Sequence, residues 1–485
     1  MEISESIDTV KNKAASAVKW SLLTEVVVKI ITPLTQVLLA HILAPEAFGV
    51  VATVTMVVSF ADMLSDAGFQ KYLVQHDFDN QESLFNNAHV AFWTNLCFSL
   101  SLWLIIIINN DYLADSVGCS GLGNVLILAS ASLPLTAFSS IQLAIFHREF
   151  EFKDLLVSRV SVALVPMLIT VPLAFLGFNY WAIVIGTVVG NLVNALVLTK
   201  MSKWKPKFFF SFSLLKDMLS FSLWTLLESL SIWLTSWVGT FVLGSTLSAY
   251  YLGLYKTSTG MVNAAMGIVT SATTPILFSA LSRCQDDEDS FESVFFDMQL
   301  KVALFVVPLG VGIFVFRDFA TELLMGPNWL EASDLLGLWG LSSSLVIVLS
   351  HYASEVFRAK GRPKLSFANQ CLYLCLLIPA MMLSTQKGFV PFSFTVTIVR
   401  VLGIFTGFIF LRFVNFPVRK MLTNVLTIVC CSFVMGILGL FLLKINSNNY
   451  FCVLWIFTCM AFYAALSFLF PKTRSLLLRY LRFLF

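Results

Sequence analysis

Fourteen predominantly apolar runs, each long enough to cross a bilayer, divide this chain almost from end to end. They centre on residues 20–40, 49–68, 88–108, 122–145, 156–176, 180–199, 217–242, 249–280, 298–316, 333–356, 365–384, 389–411, 421–443 and 450–470. A hydrocarbon core about 30 Å thick is spanned by roughly 20 helical residues. Inside it every backbone N–H and C=O must be satisfied within the chain, which a helix does locally. The pattern therefore predicts an all-α polytopic membrane protein with about 14 transmembrane helices. The 12% of charged residues agrees, since soluble domains carry about a quarter.

Composition also removes several classes of function. A net charge of +3 is too small for nucleic-acid binding, and the aromatic excess is mostly phenylalanine, suited to lipid contact. Residues 1–19 have no apolar core, so no cleavable signal sequence is expected and the first span inserts the chain. No GxxxxGK[ST] loop is present, so nucleotide hydrolysis is not expected. The nine cysteines show no metal-ligand spacing. Most fall inside apolar runs, where they read as small packing residues; Cys371 and Cys375 share a helical face but lack histidine or carboxylate company. No cofactor is expected, and the chain reads as a non-enzyme.

An even number of spans puts both termini on one side. With the N-terminus in the cytoplasm, 25 of the 31 lysines and arginines fall in cytoplasmic segments or their flanks. Arg317, Lys387 and Lys444 fall in external loops, and Lys29, Lys256 and Arg400 in spans. This asymmetry sets the orientation by the positive-inside rule. Basic clusters at 200–207, 358–364 and 472–482 would touch anionic lipid. KFFFSFSLLKDML and RSLLLRYLRFLF mix bases with apolar residues and are expected along the inner interface.

Shifting the chain by 204 positions sets Trp20, Ser21, Leu22 and Leu23 on Trp224, Thr225, Leu226 and Leu227, and Leu43 and Gly49 on Leu247 and Gly253. The shift equals six spans, an even number. Two six-helix lobes would then share an orientation and be related by a pseudo-two-fold along the membrane normal, with two C-terminal helices outside the repeat. The expected organisation is an N-terminal lobe at 1–200, a basic cytoplasmic linker at 201–216, a C-terminal lobe at 217–412, and two extra helices with a basic amphipathic tail at 413–485. Substrate sites in such transporters lie between the halves, so spans one and two face spans seven and eight.

Charges inside spans are costly, roughly 2.5–3.5 kcal/mol each on insertion scales, and usually face a cavity or a partner. Glu25 and Lys29 stand four apart on one helical face, and Pro33 displaces the Lys29 carbonyl from the helical ladder. Glu25, Asp62 and Glu228 fall on the four cavity helices and are candidates for binding H+ or Na+. Asp62 is alternatively a partner for a cytoplasmic base, and Asp66 a cap of the helix end. His351, Glu355 and Arg358 share a face at the inner end of the tenth span, as a gate or as a satisfied structural cluster. Seven prolines lie within spans: Pro33, Pro134, Pro166, Pro172, Pro275, Pro308 and Pro379. Kinks there would suit helices that bend.

The run from Ala14 to Gln75 starts at Trp20, turns through Leu43, Pro45, Phe48 and Gly49, and closes its second span with Asp66, Ala67 and Gly68. With FHREFEFKDL at 146–155, PILFSALSRCQDDEDSF at 275–291 and FRAKGRPKLSF at 357–367, it resembles the polysaccharide-transporter family, the O-antigen and colanic-acid type flippases of the multidrug/oligosaccharidyl-lipid/polysaccharide superfamily. The resemblance covers roughly Ala14 to Arg412. It implies a V-shaped cavity between two six-helix lobes in a bacterial inner membrane. It also implies transfer of an undecaprenyl-pyrophosphate-linked oligosaccharide to the periplasmic leaflet, with polymerase and chain-length partners. Such a substrate needs cations at depth for its pyrophosphate. Lys29 and Lys256 are the first candidates, as pyrophosphate or sugar contacts, and Tyr251 and Tyr255 can stack on sugar rings or form an interfacial aromatic belt. Arg400, also a candidate substrate contact, lies outside the four cavity helices, which favours a structural role for it. Structural ion pairs, Glu25 with Lys29 or Glu228 with Lys256, are the alternative for the lysines. Two other classes remain: a multidrug exporter, whose cavity should carry net acid, and a membrane-embedded glycan polymerase.

Overall fold

The computed structural model describes residues 20, 24 and 27–484 apart from 119 and 150, with the side chains at 152, 220–225, 227, 228, 363 and 479–484 excluded. The regular structure of the described chain is helical: α1 (Val27–Ile42), α2 (Pro45–Asp66), α3 (Phe69–Gln75), α4 (Gln81–Ile108), α5 (Asn110–Ser116), α6 (Gly123–Ser130), α7 (Ser132–Arg148), α8 (Phe152–Val165), α9 (Val171–Phe175), α10 (Tyr180–Met201) and α11 (Phe212–Thr246). There follow α12 (Ala249–Arg283), α13 (Glu288–Val315), α14 (Arg317–Met325), α15 (Ser333–Val346), α16 (Ala353–Ala359), α17 (Pro363–Thr385), α18 (Phe389–Arg412), α19 (Val418–Ile445), α20 (Asn449–Leu469) and α21 (Pro471–Leu484). Among the described residues 12 helices, some built from two successive segments, are long and apolar enough to cross a membrane. The other two expected spans, 20–40 and 217–242, fall on α1 and α11. The first of these continues through Pro33 as a helix.

The chain divides into two compact units, Met1–Gly253 and Leu254–Phe485. The division falls inside α12, past the basic segment at 201–216. In the first unit, Pro45 sits at the start of α2, where its missing N–H costs nothing. Ala67 and Gly68 then take left-handed conformations, φ 43° and 84°, and turn the chain into α3. Phe69, Tyr72 and Leu73 of α3 enter a core with Phe92, Ile141 and Trp204. Arg148 Nη1 caps α3 by donating to the carbonyls of Leu73 at 2.9 Å and His76 at 2.7 Å.

Two glycines allow a backbone approach that no other residue would. A Cβ on Gly49 would lie 1.8 Å from the carbonyl oxygen of Ala249, and one on Gly253 would lie 1.8 Å from that of Pro45. These contacts are each other's counterparts under the 204-residue shift, which carries Pro45 to Ala249 and Gly49 to Gly253. The starts of α2 and α12 therefore pack reciprocally, as a local two-fold requires. Nearby, Gly118, at φ +81°, packs on the Gly244 carbonyl in the same way.

The segment between α10 and α11 is non-helical up to Ser211 and docked on α4. Trp204 is buried, Trp93 Nε1 donates to the Lys207 carbonyl at 2.9 Å, and the Lys207 N–H donates to His89 Nδ1 at 3.2 Å. Phe208 stacks on Trp93, while Phe208, Phe210 and Phe212 stay exposed. Lys203 pairs with Glu151 at 2.6 Å, and this contact raises the lysine above its ordinary pKa.

In the second unit α13 packs between α15 and α19. Leu304, Val307, Val348, Ile428, Met435 and Cys459 form its core. Gln299 ties α13 to the Val348 and Met421 carbonyls, and Tyr463 Oη donates to the Leu304 carbonyl. The last two spans are thus part of this unit's core. The α15 helix runs into a π-helical turn at Ile347–His351, and α8 into another at Pro166–Thr170. The second begins at Pro166, whose carbonyl accepts from the Val171 N–H. Pro275, Pro308 and Pro379 sit inside helices.

Candidate functional site

Each unit sets polar side chains into otherwise apolar helices. In the first unit a cavity of about 190 Å³ lies between α2, α7 and α10, walled by Val51, Val54, Val58 and Val184. Its polar lining is Thr55, Ser59, Asp62, Ser132, Thr136, Thr187 and Asn191. Asp62 Oδ1 accepts from Thr136 Oγ1 at 2.5 Å, so the carboxylate is held by an uncharged donor rather than by a cytoplasmic base. Ser59 accepts from Trp233 Nε1 at 3.0 Å, which ties α11 to the cavity wall. Asp66, one turn on, points elsewhere and accepts from Gln70 Nε2 at 3.0 Å.

A polar ladder continues away from this cavity through the interior. Asn95 donates to Ser140, Ser158 to Asn194, Asn194 to Ser139, and Gln142 and Thr199 exchange hydrogen bonds. None of these positions was singled out from the sequence. The available signal was helical spacing of small polar residues in apolar runs: Thr136 and Ser140 on α7, and Thr187, Asn191 and Asn194 on α10.

In the second unit α12 carries Lys256, Gly260, Asn263, Gly267, Ser271 and Thr274 on one face at helical spacing. At 1.5 Å per residue that stripe is about 27 Å long, close to the thickness of the hydrocarbon core. A Cβ at Gly260 or Gly267 would meet nothing within 4 Å, and Asn263 is exposed, so this face borders open space. At one end of the stripe Thr274 Oγ1 lies 3.2 Å from His351 Nε2, and Thr273 Oγ1 lies 2.6 Å from Tyr352 Oη. At the other end, Lys256 is half-buried and makes contacts of its own.

The remaining sequence candidates separate by location. Tyr255 is 9% exposed and packs edge-on against Trp339 and Phe392, with centroids at 5.9 and 5.5 Å. Its ring is in the core, which removes it as a stacking platform in this conformation. Tyr251 is half-buried beside Tyr250, at 5.3 Å. Arg400, mid-way along α18, lies over the Trp339 ring at 3.6 Å, and Trp339 Nε1 donates to Asn263 Oδ1 at 3.1 Å. Arg400 therefore stands behind the α12 stripe. Glu355 is 2% exposed and accepts from Arg358 Nη2 at 2.9 Å, so those two form a local pair while His351 turns to α12. Lys29 lies half-buried on α1. Glu25 and the Glu228 side chain are outside the described residues, and with them both proposed lysine pairings. No cluster of three or more metal-ligating side chains occurs among the described residues.

A family model described as polysaccharide biosynthesis protein matches residues 38–334, more than half of the chain. The succinoglycan biosynthesis transport protein ExoT of Rhizobium meliloti (strain 1021) is 27% identical over 337 residues, which cover 69% of this chain and 67% of the relative. The lipopolysaccharide biosynthesis protein WzxC of Escherichia coli (strain K12) is 22% identical over 416 residues, 84% of this chain and 80% of its own. Among solved structures, the inward closed conformation of the lipid II flippase MurJ matches with a TM-score of 0.75 at 14% identity, over 95% of this chain and all of that one. An inward-facing multidrug resistance transporter of the MATE family matches with a TM-score of 0.60 at 15% identity, over 81% of this chain and 95% of its own. At such identities these two similarities establish the fold.

Proposed function

The chain belongs to the polysaccharide biosynthesis protein family, and we propose that it is a flippase for an undecaprenyl-pyrophosphate-linked oligosaccharide. It would carry that substrate from the cytoplasmic to the periplasmic leaflet of a bacterial inner membrane, by alternating access and without enzymatic chemistry, and both its termini would be cytoplasmic. The observation that carries this reading is the α12 stripe, a polar face about as long as the membrane is thick, with Lys256 at one end and open space along it. A sugar chain needs such a wet, small-residue path, and its pyrophosphate needs a cation where it enters or leaves the hydrocarbon core. Lys256 and Lys29 are assigned to the pyrophosphate and Tyr251 to the sugar. A polysaccharide polymerase and a chain-length regulator are the expected partners.

The Asp62 cavity is assigned to the coupling ion, H+ or Na+. At about 190 Å³ it is smaller than the roughly 300–1,000 Å³ of drug-sized sites. Its hydroxyl and amide oxygens beside one carboxylate are hard ligands of the kind that small cations take. That size suits an ion rather than a drug-sized molecule at Asp62.

Depletion of the protein followed by assay of the lipid-linked glycan in each leaflet tests the proposal. Accumulation in the inner leaflet is expected. Accumulation of flipped but unpolymerised units would indicate a polymerase instead, and an unchanged distribution would reject both readings. Lys256→Ala and Lys29→Ala are expected to abolish export while folded protein remains in the membrane, and wild-type export by both would remove the site assignment.

A further inference from the structure

The guanidinium of Arg400 is a cation inside an apolar helix whose Nη1 meets no acceptor among the described residues. Its Nη1 is buried and makes no hydrogen bond, and among the described residues no carboxylate pairs with it. Its neighbour is a ring, Trp339 below it at 3.6 Å, and Tyr255 packs edge-on against that same indole at 5.9 Å. The Tyr373 ring is seated against the backbone of Gly403, one turn on from Arg400, where a Cβ would lie 2.9 Å from the ring. The face of an indole offsets part of a buried charge, about 0.5–2 kcal/mol. That is well below what an uncompensated ion costs in such surroundings. A purely structural arginine would spend its five N–H donors on carbonyls or carboxylates, as Arg148 and Arg358 do. Trp339 also holds Asn263, the exposed amide at the centre of the α12 stripe.

We infer that Arg400, steadied by Trp339 and Tyr373, is an oxyanion-binding site, and that the transported molecule presents a carboxylate or phosphate group to it. A planar fork of donors matches either group in a two-point contact. The identity of the ligand rests on the flippase reading; the existence of the anion site does not. Two parts of one substrate can supply this chemistry, the pyrophosphate of the lipid carrier or an acidic sugar of the glycan.

The test is thermal stabilisation of the purified full-length protein in nanodiscs by inorganic pyrophosphate and by glucuronate, at fixed ionic strength, for wild type, Arg400→Gln and Arg400→Lys. Wild type is expected to be stabilised by at least one of them. Apparent affinity should fall about tenfold or more in Arg400→Gln, the size expected when a charge-assisted contact is lost, and partly recover in Arg400→Lys. A response to pyrophosphate alone assigns the site to the carrier, and one to glucuronate alone to an acidic glycan. Without ligand, Arg400→Gln is expected to melt at or above wild type, since it removes an uncompensated charge; a structural role predicts a clear drop. Should Arg400→Gln fail to fold, the inference is overturned on that count. It is equally overturned if neither anion stabilises wild type, or if the response survives in Arg400→Gln. A failed leaflet assay with an intact Arg400-dependent anion response would remove the flippase reading alone.

Discussion

Asp62 illustrates how much one side chain's meaning depends on its partner. Its Thr136 donor is 74 residues away, and the pair defines a cavity rather than a surface ion pair. Asp62→Asn keeps the hydrogen-bonding shape and removes the charge. It is expected to leave the protein folded while making glycan export insensitive to collapse of the proton or sodium gradient, measured with ionophores in cells; export that stays gradient-dependent would exclude Asp62 as the coupling residue. Trp204 is the opposite case, a residue whose role is packing. It is 2% exposed, with His89 stacked at 5.1 Å and Phe92 edge-on at 5.8 Å. Trp204→Ala is expected to cost about 3–5 kcal/mol, readable as a lowered melting temperature, with the segment before α11 released to protease.

At the scale of elements, the reciprocal packing of α2 and α12 is a demanding contact in the first unit. A methyl group at Gly49 or Gly253 would fall 1.8 Å from a carbonyl oxygen of the other helix, and backbone cannot yield as a flexible side chain does. Gly49→Ala and Gly253→Ala are each expected to lower stability by about 1–3 kcal/mol, the usual cost of overpacking, whereas Gly260→Ala on the same helix, facing open space, should be near neutral by thermal melting. Equal stability of all three variants would show that the close approach is not needed. The helices themselves were legible, because run length against bilayer thickness identifies a span with little else. The interruptions were less so. A π-helical turn at Ile347–His351 has no proline to announce it, and the docked, non-helical 202–211 segment depends on Trp93 and His89 of a helix more than a hundred residues earlier.

For the whole molecule, the charge asymmetry of the loops predicts orientation, and it is testable without reference to any site. Single cysteines introduced at Lys205 and at Lys387 in a background without the native cysteines should be labelled by a membrane-impermeant maleimide from opposite sides, Lys387→Cys in intact cells and Lys205→Cys only after permeabilisation. Labelling of both from outside would invert the topology and with it the assignment of leaflets. The same charge count leaves Lys29, Lys256 and Arg400 as the bases inside spans.

Sequence by itself determined the solvent this chain folds in, its helical class, the shift that relates its halves, and the short list of charges that lipid would not tolerate without a purpose. Each of those follows from local composition measured against a fixed length, the thickness of the bilayer. Only the tertiary structure decided which of those charges meet what. It set Asp62 in a small polar cavity, put Tyr255 in the core and placed Arg400 on Trp339 behind Asn263. The reason is rotational: a helix that is apolar around most of its circumference gives little sign of which face turns inward. That face is set by close packing against neighbours distant in the chain.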